Sequence, residues 1–449
     1  LFGKYIHTKA WLSNWDFIDE EISSLKDKIT SGIKTATPFP ILSLIDLPDL
    51  QKKNAENYVK NEYSLSSNLE PIIKRPSNKK IRIGYYSADF NNHPTSFLMV
   101  QLLELHDRSN FEIFCFSLAN RKDDEMRKRV SNSCDKFLDV SLKSDEEIAR
   151  ISRDLNIDIA CDVMGFTKGN KFQIFAEKCA PIQVSYLAFP GTTGANFIDY
   201  VIADKTVISQ ELKKYYSEKI IFLPGTYQVN DSAKKISDKV FTREEMNLPN
   251  DSFVFCCFNK NYKILPRVFD IWMNLLKKVK GSVLWLLVEN SKARENLKKE
   301  ATKRNIDENR IIFAKIMPLN DHLARHRCAD LFIDTFPYTA HTTCSDALWA
   351  GLPVVTRIGK SFASRVSASL LNAIDLPELI THSEEEFENL ALDFANNKDK
   401  LDKVKVKLEK NKTSNSLFNT KLYTKNIETS YKIIHDRYLR NLPPEDVEI

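Results

Sequence analysis

A chain of 449 residues is too long for one ordinary hydrophobic core and predicts two α/β domains with helical additions. Hydrophobic residues make up 43% and charged residues 28%, a globular balance, and no apolar run approaches the roughly 20 residues that a membrane-spanning helix needs. The formal net charge of +5 is small for this length and spread along the chain, which argues against a nucleic-acid partner.

Residues 11–33 space their apolar side chains three and four apart and predict a helix, which Pro38 and Pro40 break. A second, polar helix is expected over 50–59, and residues 70–80, with Pro71 and Pro76, read as a linker. Beyond Lys80 short apolar runs alternate with helical patterns, as in doubly wound parallel sheets. The first set of strands is IRIGYYS from Ile81, EIFCFSL from Glu112, IDIACDV from Ile157, IQVSYLAF from Ile182 and YVIAD from Tyr200. The second is FVFCCF from Phe253, VLWLLV from Val283, RIIFAKI from Arg310, DLFIDT from Asp330 and PVVT from Pro353. The expected division is a helical lead-in over 1–78, one Rossmann-like lobe over 79–240, a second over 241–382, and helices and a tail over 383–449. Eight cysteines show no CxxC pair, and most sit inside apolar runs such as FEIFCFSL and IDIACDVM. They predict buried, reduced thiols in a cytoplasmic protein.

Chemistry concentrates at the ends of these strands. In DLFIDTFPYTAHTTCSDALWAG a buried strand ends at Thr335 and His341, Thr342 and Thr343 open a helix. Free N–H groups and the helix dipole favour an anion there. Thr342 as a plain helix cap is the alternative. Asp346, one turn further, is placed to accept from ribose hydroxyls. CCFNKNYKILP delivers Lys260 and Lys263 to the sheet edge, as point charges for a diphosphate or as ordinary surface lysines. SADFNNHPTSFL places His93 after the first strand, either facing a ligand or capping a helix. In YLAFPGTTGA, Pro190, Gly191 and Gly194 force a tight turn whose amides a ligand can approach. No GxGxxG follows the first strand, and neither a Walker motif nor HExxH occurs. His322 and His326 have helical spacing but no acidic or sulfur companion, so no metal is expected.

Taken in order, SADFNNHPTSFL, DVMGFTKG, APIQVSYLAFPGTTGA, IDYVIADK, CCFNKNYKI, VLWLL, HTTCSDALWAGLPVVT and ASRVSASLL resemble the catalytic region of O-linked N-acetylglucosamine transferases and their bacterial and SPINDLY relatives. The resemblance runs over residues 11–444. It implies a GT-B architecture, two Rossmann-like lobes across a cleft, with no metal or other cofactor. The implied partners are a UDP-GlcNAc donor and protein acceptors; the oligomeric state stays open. Lys263 would neutralise the diphosphate, His341, Thr342 and Thr343 would bind it, and Lys260 would lie beside it. Asp346 would hold the ribose, with His322 against the base and Arg325 nearby. His93, Leu187, Pro190, Gly191 and Thr192 would line the sugar side, with His93, Asp89, Asp162 or a water relay serving the acceptor hydroxyl. The resemblance also implies tetratricopeptide repeats upstream of Leu1. Phe97, Ala188, Lys260 and Leu319 depart from the best-known animal pattern, leaving GDP-fucose or another UDP-hexose as alternative donors and a non-catalytic nucleotide-binding scaffold as the alternative role.

Overall fold

A computed structural model describes residues 2–63, 69–74, 78–120 and 123–449. Within the expected linker, 75–77 lie outside the described residues, Pro76 among them, while 70–74 carry neither helix nor strand. The chain forms two compact units. One takes the residues up to Asp27, then Pro40–Leu47 and Lys234–Asn415; the other takes Lys28–Phe39, Pro48–Ala233 and Ser416–Ile449.

The strands in chain order are β1 (Ile81–Ser87), β2 (Phe111–Ser117), β3 (Lys136–Asp139), β4 (Ile159–Asp162), β5 (Ile182–Ser185), β6 (Tyr200–Ala203) and β7 (Lys219–Phe222). They continue as β8 (Val254–Cys257), β9 (Val283–Leu286), β10 (Ile311–Phe313), β11 (Leu331–Ile333), β12 (Val354–Arg357), β13 (Ile380–Thr381) and β14 (Val447–Glu448). Eight make one sheet in the order β14-β7-β6-β5-β4-β1-β2-β3 and six make another, β10-β9-β8-β11-β12-β13. All neighbours are parallel, from Ile81 opposite Phe111 in the first sheet to Leu331 opposite Phe255 in the second. A parallel strand covered on both faces must be apolar throughout, and β8 (VFCC) and β9 (VLWL) are buried at every residue.

In each sheet the chain winds outward one way, returns, and winds outward the other way. The reversal falls between β1 and β4 in the eight-stranded sheet and between β8 and β11 in the six-stranded one. At such a reversal the connections leave the carboxyl ends of two adjacent strands in opposite directions and open a crevice.

All ten expected strands are present. Four strands lie outside the expected set: β3, whose KFLD is only half buried at the sheet edge, β7, and the two-residue β13 and β14. The single helix expected over 11–33 is instead two, Phe2–Trp11 and Ile18–Thr30. Ser13 and Phe17 between them adopt left-handed backbone (φ 48° and 57°), which no α-helix continues through. The polar helix is present as Pro48–Glu62, and DEEIARISRDL forms Asp145–Asp154, opened by a capping box. There Ser144 Oγ accepts from Glu147 N at 3.2 Å while Glu147 Oε2 accepts from Ser144 N at 2.8 Å.

The expected lead-in and tail are shared between the units. Helices Phe2–Trp11, Glu384–Asn396 and Lys398–Ser414 belong with the six-stranded sheet, Pro48–Glu62 and Thr420–Leu439 with the eight-stranded one. An amphipathic helix buries its apolar stripe only against another layer, so each of these joins a sheet. Thr420–Leu439 also adds buried polar contacts: Glu428 Oε1 lies 2.9 Å from His106 Nδ1, and the Tyr431 and Tyr85 hydroxyls are 3.2 Å apart. Together they fix that helix in one position.

Candidate functional site

The six-stranded unit gathers a cation and free amides at its reversal point. β8 ends at Cys257, and a turn over Asn261–Lys263 returns the Lys263 side chain into the protein. Its ammonium donates to Thr339 O at 2.9 Å and lies 3.7 Å from the centre of the Tyr338 ring. With 8% of Lys263 exposed, burial pulls its pKa down to about 7, and nearby Asp334 offsets part of that.

Asp334, just past β11, builds the loop that receives this lysine. Its Oδ1 accepts from Thr335 N and Ala340 N, both at 2.7 Å, and from Asn259 Nδ2 at 3.1 Å. Its Oδ2 accepts from Thr356 Oγ1 at 2.7 Å and Ser367 Oγ at 2.6 Å. Five donors, three at strand ends, one in a loop (Ala340) and one in the helix Val366–Ala373 (Ser367), converge on one fully buried carboxylate.

This loop leads into the helix Thr342–Trp349, whose cap residue His341 makes no side-chain cap bond. The alternative of Thr342 as the cap is therefore not what forms. The N–H groups of Thr342 and Thr343 donate to nothing among the described residues, while the Thr343 hydroxyl is held by Asn259 Oδ1. His341 Nε2 lies 3.2 Å from Ala363 O, and burial, then the charge of Lys263, holds its pKa well below the usual range. A neutral imidazole, a buried ammonium and two open amides thus flank one loop, an arrangement suited to an anion.

The other expected nucleotide contacts divide. Lys260 is exposed and pairs with Glu289, 2.5 Å away, outside the Lys263 cluster. His322, on the helix Leu319–Arg325, packs against Phe258 (5.2 Å between ring centres) and His326 (4.8 Å). Burial, then His326 and Arg325, holds its pKa well below the usual range. Arg325 is 1% exposed, its guanidinium 4.8 Å from the Phe258 ring and hydrogen-bonded to Lys315 O. Burial lowers its pKa to about 10. Its guanidinium packs against the Phe258 and Trp285 rings and also contacts His322 Nδ1. Asp346 is buried, and its Oδ1 accepts from Lys234 Nζ at 2.7 Å. Lys234, Asp334 and Asn259 were all missed in the sequence; the only signal for Asp334 was its place at the end of a buried strand.

The eight-stranded unit presents different chemistry at its reversal point. Past β1, His93 caps the helix Pro94–Leu105: its Nδ1 accepts from Thr95 N at 3.3 Å and lies 3.5 Å from Asp89 Oδ2. The two neighbours ask opposite things of that nitrogen. A bare Nδ1 serves the cap, whereas a proton there faces Asp89 and leaves Nε2 to act as a base. Past β4, Asp162 accepts from Met164 N at 3.0 Å and Gly165 N at 2.9 Å, yet burial raises its pKa to about 6.

Leu187, Pro190, Gly191 and Thr192 follow β5, which β4 separates from β1 and His93. Leu187 has left-handed backbone (φ 72°), and the Thr192 hydroxyl donates to Glu218 Oε2 at 2.7 Å. Gly194 has φ 66°, and a Cβ there would come within 2.5 Å of Glu56 N, so this turn must pass tightly against the helix Pro48–Glu62. The Thr192 side chain helps to hold this turn, as do the amides of Ala188 and Gly191, which donate to Tyr186 O and Phe189 O.

A family model described as Glycosyl transferase family 41 matches residues 59–240 and 232–427. The chain belongs to this family. Over 367 residues it is 39% identical to the probable UDP-N-acetylglucosamine–peptide N-acetylglucosaminyltransferase SEC of Arabidopsis thaliana, covering 80% of this chain and 38% of that protein. The SPINDLY protein of Petunia hybrida, of the same description, is 27% identical over 80% of this chain and 39% of its own length. The chain thus spans about two fifths of the length of these curated relatives. Among solved structures, a mutant of the Thermobaculum terrenum O-GlcNAc transferase superposes with a TM-score of 0.83 at 25% identity, covering 96% of this chain and 84% of that one. Among the described residues, no group of three or more His, Cys, Asp or Glu is placed to hold a metal ion, and no helix is long and apolar enough to cross a membrane.

Proposed function

We propose that this chain is the catalytic region of an inverting transferase that moves N-acetylglucosamine from UDP-GlcNAc to serine or threonine hydroxyls of proteins. The observation that carries the reading is the buried Lys263 ammonium beside the uncapped start of the helix Thr342–Trp349. Among the described residues this desolvated cation bonds a carbonyl and faces a ring, so it is poised to gain a stronger partner, which a nucleotide diphosphate supplies.

In the reaction the acceptor oxygen bonds to the anomeric carbon as the bond from that carbon to the diphosphate breaks. The hydroxyl proton passes to a base and UDP departs. Charge grows on the departing phosphate, and Lys263 with the Thr342 and Thr343 amides offsets it without a metal ion. Fixed donors cost no reorganisation at that moment, and the Asp334 network is what keeps them fixed. His93 is the base in this reading, oriented by Asp89; Asp162, with its raised pKa, is the reserve. His322 and Asp346 hold the base and ribose of the donor, and the turn from Leu187 to Thr192 meets the sugar through its backbone. The donor assignment leans on the SEC relative, which at 39% identity stands well above the 27% of the SPINDLY relative. Eight free cysteines, seven of them buried, support a reducing, cytoplasmic setting.

The test is incubation of the protein with candidate acceptor proteins and, separately, UDP-GlcNAc, UDP-glucose and GDP-fucose, followed by mass spectrometry of the acceptors. N-acetylhexosamine on serine or threonine, from UDP-GlcNAc alone, is the expected result. Deoxyhexose from GDP-fucose would replace the donor, and binding of UDP with neither transfer nor donor hydrolysis would replace catalysis with a scaffold role.

A further inference from the structure

Within the six-stranded unit, Lys234 is tied twice to the helix Thr342–Trp349. Its Nζ donates to Asp346 Oδ1 at 2.7 Å, and its own carbonyl accepts from Trp349 Nε1 at 3.1 Å. The ion pair is buried, with side-chain exposures of 5% for Lys234 and 7% for Asp346. Asp346 is only half used: its Oδ2 makes no hydrogen bond among the described residues. Close by on the neighbouring helix stand His322, whose pKa the Lys234 charge helps to lower, and His326, which feels Asp346.

A purely structural ion pair tends to have both carboxylate oxygens enclosed and bonded, since sealed lone pairs left unmet are costly; Asp346 Oδ2 is not among the sealed, unpartnered atoms of the described residues. Here one carboxylate oxygen is clamped and the other left open, one turn inside the helix whose first amides are also open. We infer that Lys234 is a positioning residue for the donor nucleoside: by holding Oδ1 and supplying the countercharge, it aims Asp346 Oδ2 at the ribose hydroxyls. The inference rests on the donor reading above and adds to it a residue that none of the strand-end motifs contains.

The consequence is specific to ribose. A nucleotide without ribose hydroxyls has nothing to offer Oδ2, so it should not register the loss of Lys234. Titration calorimetry with UDP and with 2′,3′-dideoxyuridine diphosphate separates the cases. Lys234→Met is expected to weaken UDP by about tenfold or more, the worth of one charge-assisted hydrogen bond. The same change should leave the dideoxy compound within about twofold, the usual limit for uncoupled sites. Equal weakening of both nucleotides, or none of either, overturns the inference. Where Lys234→Met alone does not fold, because Asp346 is left buried and unpaired, the double variant Lys234→Met/Asp346→Asn removes both charges. Its UDP affinity should match that of Asp346→Asn; a further loss overturns the inference. A parent protein that binds UDP no better than the dideoxy compound removes the role of Asp346 and Lys234 while leaving the donor reading intact. Failure to bind UDP at all removes the donor reading, and this inference with it.

Discussion

The two sheets reverse direction in the same way, yet the reversal points carry opposite chemistry. Between β8 and β11 lie a desolvated ammonium, neutral imidazoles and open amides; of the two carboxylates there, Asp334 is wholly consumed by five donors and Asp346 is paired with Lys234. Between β1 and β4 lie Asp89, a half-exposed histidine and Asp162, which burial drives toward the protonated form. Topology therefore fixes where a ligand goes, and the few residues after each strand fix its charge. In the proposed reaction the β8–β11 point would receive negative charge and the β1–β4 point would handle a proton.

The sharpest way to break that contrast is through Asp334. Asp334→Asn retains the shape but turns an amide toward groups that need an acceptor, and is expected to cost about 3 kcal/mol of unfolding free energy. Denaturant titration measures it, and a loss smaller than that of a surface mutation would mean the loop does not depend on this carboxylate. Next, Lys263→Met is expected to lower kcat between about 100- and 1,000-fold, as when a key electrostatic donor is removed. The same variant should gain stability. The Lys263 pKa is about 7 when folded against 10.5 for a free lysine, so between these values the unfolded chain binds more protons and stability rises with pH. The parent therefore carries the full cost of its buried charge below pH 7 and sheds it toward pH 10. Melting curves should show the variant's advantage largest at pH 6 and fading by pH 10; an advantage independent of pH would remove the buried charge from the account.

For the other reversal point, His93→Asn keeps a good helix cap while abolishing any base, so stability should hold and kcat fall about 100-fold. Full turnover by a stable His93→Asn would reduce His93 to its capping bond and pass the proton to Asp162 or Asp89. The smallest effect is expected at Lys260, whose exposed pair with Glu289 is worth little. Lys260→Ala should leave donor KM within about twofold, as for an uncoupled surface site, and a larger rise would restore it to the phosphate cluster.

Much of this was legible in the sequence because buried parallel strands are written as unbroken apolar runs, and chemistry gathers at their ends. FVFCCF and DLFIDT mark both strands of the second reversal, and the family resemblance is what set Lys263 and His341 to one task. What was not legible depended on distance or on context. Lys234 meets Asp346 across 112 residues, and nothing in NDSAKK points to its partner. Arg325 is expected near the base beside His322, and only packing against Phe258 and Trp285 reveals its guanidinium as interior. KFLD at β3 lacks the apolar run because an edge strand is covered less completely.

The outermost pairing of the eight-stranded sheet joins Val447 and Glu448 to Ile221 and Phe222 of β7. Its flank is closed by residues synthesised long after its centre, and the helix Thr420–Leu439 that braces Tyr85 and His106 arrives equally late. During translation β7 therefore waits as an unprotected edge while all strands of the six-stranded sheet are made. A nascent chain halted at Asn415 should be open to chaperones and proteases along β7, and release of the last few dozen residues should seal it.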